Sequence, residues 1–156
     1  MLRGTISSKV DSKGRLLIGA RFKDGLGDKA VVVKGNGPYL MVFPAGEFKR
    51  LEEQFLPLTD LGSELGARAF FNTKLQNYLA NFFSSQAEVE VDDQGRISIP
   101  KFLCEEIGLV GDAVVRAAGS YLQVWTPKEY YRRQEDEIML DPGEMSNLLE
   151  REAKRS

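Results

Sequence analysis

Val10-Asp-Ser-Lys-Gly-Arg-Leu-Leu-Ile18 returns 81 residues later as Val91-Asp-Asp-Gln-Gly-Arg-Ile-Ser-Ile99, with five of nine positions identical. A second block follows in the same order. Val32-Val-Lys-Gly-Asn-Gly-Pro-Tyr-Leu-Met-Val-Phe43 and Val114-Val-Arg-Ala-Ala-Gly-Ser-Tyr-Leu-Gln-Val-Trp125 share six of twelve positions at an offset of 82. Two ordered blocks at a nearly constant offset mark an internal duplication. The chain reads as a first repeat over 1–56, a helical connector over 57–83, a second repeat over 84–138 and a charged tail over 139–156.

Each repeat has the pattern of paired hairpins. Thr5 to Val10 and Ala87 to Val91 alternate in part, as strands with one buried face do. Asp-x-x-Gly is a turn, in which the carboxylate caps local N–H groups and Gly14 or Gly95 takes a positive φ. Arg15–Ile18 and Arg96–Ile99 leave it as return strands. Val31–Val33 with Tyr39–Phe43, and Ala113–Val115 with Tyr121–Trp125, make a second hairpin in each repeat. Helices are expected over Ala45–Phe55 ended by Pro57, over Lys101–Ile107 with Pro100 at the first helical position and Gly108 as the stop, and over Lys128–Glu137 after Pro127. Leu65, Ala69, Leu75, Leu79 and Phe82 or Phe83 predict one long amphipathic helix through the connector, capped at Thr59 or Asp60. The tail is weakly helical over Glu144–Lys154 and reads as an extension outside the core. A half of about 50 residues buries too little apolar surface to stand alone. The expected fold is therefore one pseudo-twofold α+β domain.

Composition excludes several classes of function. The 156 residues contain no histidine, so the commonest general base and metal ligand is absent. Cys104 is alone, which rules out a disulfide framework or a cysteine metal cluster within one chain. No phosphate-binding glycine loop or nucleophile–base pair is visible, so the chain is not expected to be an enzyme or to need a cofactor. The apolar runs are too short to span a bilayer and Met1-Leu-Arg-Gly begins no export signal, so a cytoplasmic protein without membrane contact is expected. Net charge is −2, but residues 1–34 carry eight basic residues against three aspartates, a local +5 that leaves −7 elsewhere. Such a basic island is either a footprint for nucleic acid or a segregated, solvated surface.

The motif shared by the repeats is Asp11 with Arg15, and Asp92 with Arg96. A carboxylate four residues before an arginine across a tight turn can brace the guanidinium through a charge-assisted pair. A braced arginine loses less entropy on binding and presents a flat fork to guanine O6 and N7 or to phosphate. Lys13 and Gln94 stand at the turn tips, where they could reach phosphate or a base edge, and Lys9 and Arg3 belong to the basic island. The other reading of the motif is a stable turn whose surface ion pair contributes only about 0–1 kcal/mol. Tyr39, Phe43, Tyr121 and Trp125 alternate with aliphatic residues and read as core or subunit contacts before stacking platforms. Phe70, Phe71, Phe82 and Phe83 read as core or interface, and Cys104 as a small buried hydrophobe.

Met1-Leu-Arg-Gly, Val10-Asp-Ser-Lys-Gly-Arg, Val91-Asp-Asp-Gln-Gly-Arg-Ile-Ser-Ile-Pro100 and the strand ending at Trp125, in this order and spacing, resemble the MraZ family over about residues 1–138. The resemblance implies a duplicated swapped-hairpin β-barrel of the AbrB/MazE/SpoVT type, with short peripheral helices and a middle connecting helix. It implies a sequence-specific, nucleoid-associated transcriptional regulator acting on the division and cell-wall gene cluster. It also implies a ring-shaped homo-oligomer engaging short repeated promoter boxes in double-stranded DNA. The family's DNA-binding elements fall on Arg15 and Arg96, braced by Asp11 and Asp92. The sequence departs from the family at Gly19, where proline is usual, and Asp93, Glu88 and Glu90 make the surroundings of the second motif acidic. The same fold family includes antitoxins, so an antitoxin-like interaction module is the alternative. Two copies of the module and a brief tail disfavour it.

Overall fold

A computed structural model describes residues 1–137 and 140–155. Eight strands carry the fold: β1 Thr5–Val10, β2 Arg15–Leu17, β3 Lys29–Lys34, β4 Tyr39–Pro44, β5 Ala87–Glu90, β6 Arg96–Ser98, β7 Gly111–Ala117 and β8 Leu122–Trp125. They form one antiparallel sheet in the order β5-β3-β4-β8-β7-β1-β2-β6. Its two end strands, β5 and β6, are the arms of one hairpin, joined by the bond from Asp92 N–H to the Arg96 carbonyl at 3.0 Å. The sheet therefore curls into a nearly closed barrel, the α+β swapped-hairpin architecture expected.

The two halves are interleaved. β1 pairs with β7 of the second half, and β5 returns the exchange by pairing with β3. The equivalent strands β2 and β6 lie side by side, as do β4 and β8. Alternation explains the inner face: Leu16, Ile97, Val32, Leu40, Val115 and Val124 are all buried in one core. β3 and β4 are apolar without alternation because their outer face is covered too. Val31, Val33, Met41 and Phe43 pack there against Phe48 and Phe82 from outlying helices.

Those helices are α1 Gly19–Leu26, α2 Ala45–Phe55, α3 Glu64–Phe70, α4 Thr73–Ser84, α5 Lys101–Ile107, α6 Pro127–Asp136 and α7 Pro142–Ala153. The connector differs from the single long helix expected. It is two helices, α3 and α4, preceded by a 3-10 turn over Leu56–Thr59. The break is local chemistry: the Asn72 side chain accepts the Leu75 N–H at 3.1 Å and caps α4 as a new helix. The first cap is Ser63, accepting from Gly66 N–H at 2.9 Å, and not Thr59 or Asp60. Thr59 instead closes the 3-10 turn by donating its hydroxyl to the Leu56 carbonyl at 2.7 Å. Leu65, Phe70 and Phe71 are consequently exposed, while Ala69, Leu79 and Phe82 reach the interior.

Helix α1 lies in a stretch for which the sequence suggested no element. It buries Phe22 and Leu26, one turn apart. Pro100 is the residue before α5 rather than its first member, and Gly108 ends that helix in the left-handed region, φ 67°. Helix α7 is capped by Asp141, whose side chain accepts the Glu144 N–H, and none of its residues is buried. The expected border between the second repeat and the tail, at residues 138 and 139, lies outside the described residues. No described helix is long and apolar enough to cross a membrane.

Candidate nucleic-acid interface

The two Asp-x-x-Gly-Arg turns have the same bonding. In the first, Asp11 Oδ1 accepts the backbone N–H groups of Lys13 and Arg15, each at 2.9 Å, and Oδ2 accepts the Arg15 Nε–H at 2.7 Å. In the second, Asp92 Oδ1 accepts from Gln94 and Arg96 at 2.9 and 2.8 Å, and Oδ2 accepts the Arg96 Nε–H at 2.8 Å. Each aspartate thus ties the turn and clamps the arginine. The backbone N–H of Arg15, then its side chain, holds the Asp11 carboxyl below its ordinary value, and Arg96 does the same to Asp92. Both carboxylates stay charged at neutral pH. The clamp uses only Nε, so among the described residues Nη1 and Nη2 of Arg15 and Arg96 have no hydrogen-bonding partner. Two forked, positioned cationic ends are left facing out.

Glycine is required at both turns. Gly14 and Gly95 have φ of 81° and 73°. The turns also dock on each other's return strands: Ile99 N–H donates to the Gly14 carbonyl and Ile18 N–H to the Gly95 carbonyl, both at 2.8 Å. A Cβ on Gly14 would collide with the Ile99 carbonyl oxygen, and one on Gly95 would lie 2.9 Å from the Gly19 backbone.

Strand pairing then builds a shared face. Leu16 pairs with Ile97 at its centre, flanked by Val10 and Val91, and all four side chains point into the core. Alternation sends their neighbours outward. One row across the strands is Asp11, Arg15, Ser98 and Glu90, and the next is Lys9, Leu17, Arg96 and Asp92, with Arg15 opposite Ser98 and Leu17 opposite Arg96. The arginines are diagonal cross-strand neighbours, about 7–8 Å apart at their Cα atoms. Lys13 and Gln94 are exposed at the turn tips beyond the two ends of this face.

The structure thus brings together Lys9, Lys13, Arg15, Gln94 and Arg96 with the bracing Asp11 and Asp92. Arg3 stands elsewhere. It precedes β1 beside the Leu2–Gly119 bridge, so most of the length of β1 separates it from the turns. Leu17 and Ser98 belong to the face and escaped the sequence reading, as did the place of Glu90 in the row of Arg15, since only the β2–β6 pairing puts them there. That pairing also redistributes charge. Glu90, adjacent in sequence to the second motif, lies in the row of Arg15, whereas Lys9, adjacent to the first, lies in the row of Arg96. Asp93 is partly offset by Lys23, 3.9 Å away.

The aromatic residues are committed elsewhere. Tyr39 stacks on the buried Trp125 at 4.8 Å and Phe43 on Tyr121 at 4.9 Å. Cys104 is buried, and burial pushes its thiol pKa up, away from reactivity. Among the described residues no group of three or more Cys, Asp or Glu side chains could hold a metal ion.

Comparison with known proteins gives a consistent picture. The family model described as "MraZ protein, putative antitoxin-like" matches residues 1–64 and 82–147. A transcriptional regulator MraZ from Desulforamulus reducens is 37% identical over 134 residues, covering 85% of this chain and 86% of its own. Its namesake from Heliobacterium modesticaldum is 38% identical over 137 residues, with coverages of 86% and 87%. Another, from Desulfitobacterium hafniense, is 34% identical over 151 residues, with coverages of 95% and 99%.

Proposed function

This chain belongs to the MraZ family, and we propose that it is a sequence-specific regulator of transcription that grips duplex DNA through the outer face of β1, β2, β6 and β5. The observation that carries this reading is the pair of Asp-clamped arginines, diagonal neighbours on one face, each with both terminal nitrogens unbonded among the described residues. Such forks suit guanine edges in the major groove, which admits a two-stranded ribbon. Lys13 and Lys9 neutralise phosphates and Gln94 bonds a phosphate or a base. Arg3, beyond the face, supplies at most a flanking phosphate contact. The chain acts at the promoter of the division and cell-wall gene cluster, on repeated short boxes, as a ring of identical protomers associated with the nucleoid. A ring suits a chain of net charge −2, because linked weak contacts gain from effective concentration. The relatives' name, transcriptional regulator, supports the class of function, which is not an enzymatic one.

The test is fluorescence anisotropy with duplex DNA from upstream of the protein's own gene, against a scrambled duplex, across a salt series. Saturable binding that prefers the native duplex and weakens with salt is expected. Arg15→Ala and Arg96→Ala should each lose about 1–3 kcal/mol of that preference. Because Lys9 shares a row with Arg96 and Glu90 with Arg15, the Arg96 variant should lose at least as much as the Arg15 variant. Equal binding to both duplexes, or full binding by the two variants, would refute the proposal.

A further inference from the structure

Seven of the eight outward residues in the two rows are polar or charged. The exception is Leu17, 49% exposed between Lys9 and Arg96. Its equivalent in the second repeat is Ser98, opposite Arg15. Each arginine is clamped back over its own turn through Nε, which leaves the strip between the two guanidinium ends to Leu17 and Ser98. The fold does not need a leucine there, because the same position in the equivalent strand is served by serine. A half-exposed leucine flanked by cations has a natural use on a surface that meets the major groove. Only thymine presents an apolar group there, its C5-methyl, and an apolar side chain reads it by contact.

We infer that Leu17 is a specificity-determining residue that packs on a thymine C5-methyl, making the two halves of the face read different bases. The inference rests on the proposal that this face meets duplex DNA. Arg96 and Leu17 form one reading unit with an apolar component, and Arg15 and Ser98 form a second without it. A face built by duplication is thereby given a direction along the DNA.

Removing the methyl groups tests it. In the native upstream duplex each thymine is replaced, one at a time, by uracil, which pairs identically and lacks the methyl. Anisotropy is measured for the wild type, Leu17→Ser and Ser98→Leu, with melting curves to show that both variants are folded. For the wild type, one uracil position should weaken binding about fourfold, the worth of one buried methyl. Leu17→Ser should bind the thymine duplex about as weakly and be indifferent to uracil at that position. Ser98→Leu should gain sensitivity at a second position. A wild type indifferent to uracil everywhere would overturn the inference while leaving DNA binding intact. So would a Leu17→Ser protein that keeps the uracil sensitivity, or one that changes only its oligomeric state. No binding to any duplex by the wild type would overturn the DNA-binding proposal, and this inference with it.

Discussion

The carboxylate clamp makes Asp11 and Asp92 preparatory residues under the proposed function: they contact the arginines, and the proposal has the arginines contact DNA. In Asp11→Asn, the Oδ1 acceptor for the two backbone N–H groups can persist while the charged acceptor of the Arg15 Nε–H is lost. The pair lies on the surface, where ion pairs contribute little to stability, so melting should change little. DNA affinity should fall several-fold as the guanidinium regains its freedom, read by the same anisotropy titration. The pH dependence has a definite sign. Both carboxyls have folded pKa values below the ordinary 3.8, with the backbone N–H of the following arginine as the leading cause. Their contribution to stability is full above the unfolded value and is lost as pH falls through the lower folded one. The melting difference between wild type and an Asp11→Asn/Asp92→Asn double variant should therefore be constant from pH 8 to about 5 and shrink below about 4. Gly14→Ala is expected to be more damaging than either. A left-handed φ costs a side chain about 1–2 kcal/mol before the collision with the Ile99 carbonyl is counted. A Gly14→Ala protein that melts with the wild type would show that the docking of the turn on β6 is dispensable. At this scale the motif residues were legible, because Asp, Gly and Arg at fixed spacing determine a turn by local chemistry. Leu17, Ser98 and the place of Glu90 were not, because each depends on a strand pairing that spans 81 residues of sequence.

Elements follow the same division between local and distant causes. The strands were readable from partial alternation or short apolar runs and, like α2, from the prolines and glycines that punctuate them, and the observed α2 spans the expected residues. The connector misled because Leu65, Ala69, Leu75 and Leu79 hold a helical period across a break that one side chain makes. Asn72 starts the second helix directly after Phe71 closes the first, and Asn72→Ala should cost about 0.5–2 kcal/mol for a lost N-cap, measured as a shift in melting temperature. Helix α1 was missed because it is short and begins on a glycine, with its two buried residues supplying too little periodicity to register. Helix α7 poses the opposite case, a well-capped helix that buries nothing. Met145, Leu148 and Leu149 are all exposed on it. Ending the chain after residue 140 should leave the melting temperature of the remainder within about 2 °C, since surface changes without packing loss stay within about 0.5 kcal/mol. A drop of several degrees would mean that the helix packs on the barrel of its own or another protomer.

At the scale of the whole molecule, the duplication and the single shared domain were legible in the repeats, and the swapped-hairpin exchange was implied by the family resemblance. The pairing of individual strands was not legible in the residues: nothing in Val10–Ile18 or Val91–Ile99 states that β1 will pair with β7 and β5 with β3. The reason they do is the size of the repeats. A half confined to its own residues would have only the hairpins β1–β2 and β3–β4 with the short helices α1 and α2, too little apolar surface to close a core of its own. Exchange gives β1, β2, β3 and β4 each a partner from the other half and closes one core around Leu16 and Ile97, which are almost wholly buried. The barrel should consequently unfold in one transition. Leu16→Ala, at the contact of β2 with β6, should lower its stability by about 2–5 kcal/mol without separating the halves into two transitions. The sharper test uses fragments. Residues 1–62 alone should show no cooperative melt as a monomer, since all four strands lose a neighbour. Mixed in equal amounts with residues 82–137, they should recover the circular dichroism and single transition of the intact chain, with a midpoint that rises with concentration because association now replaces the connector. A stable folded monomer of 1–62 would mean that the repeat is self-sufficient and that the exchange of β1 and β5 serves something other than stability.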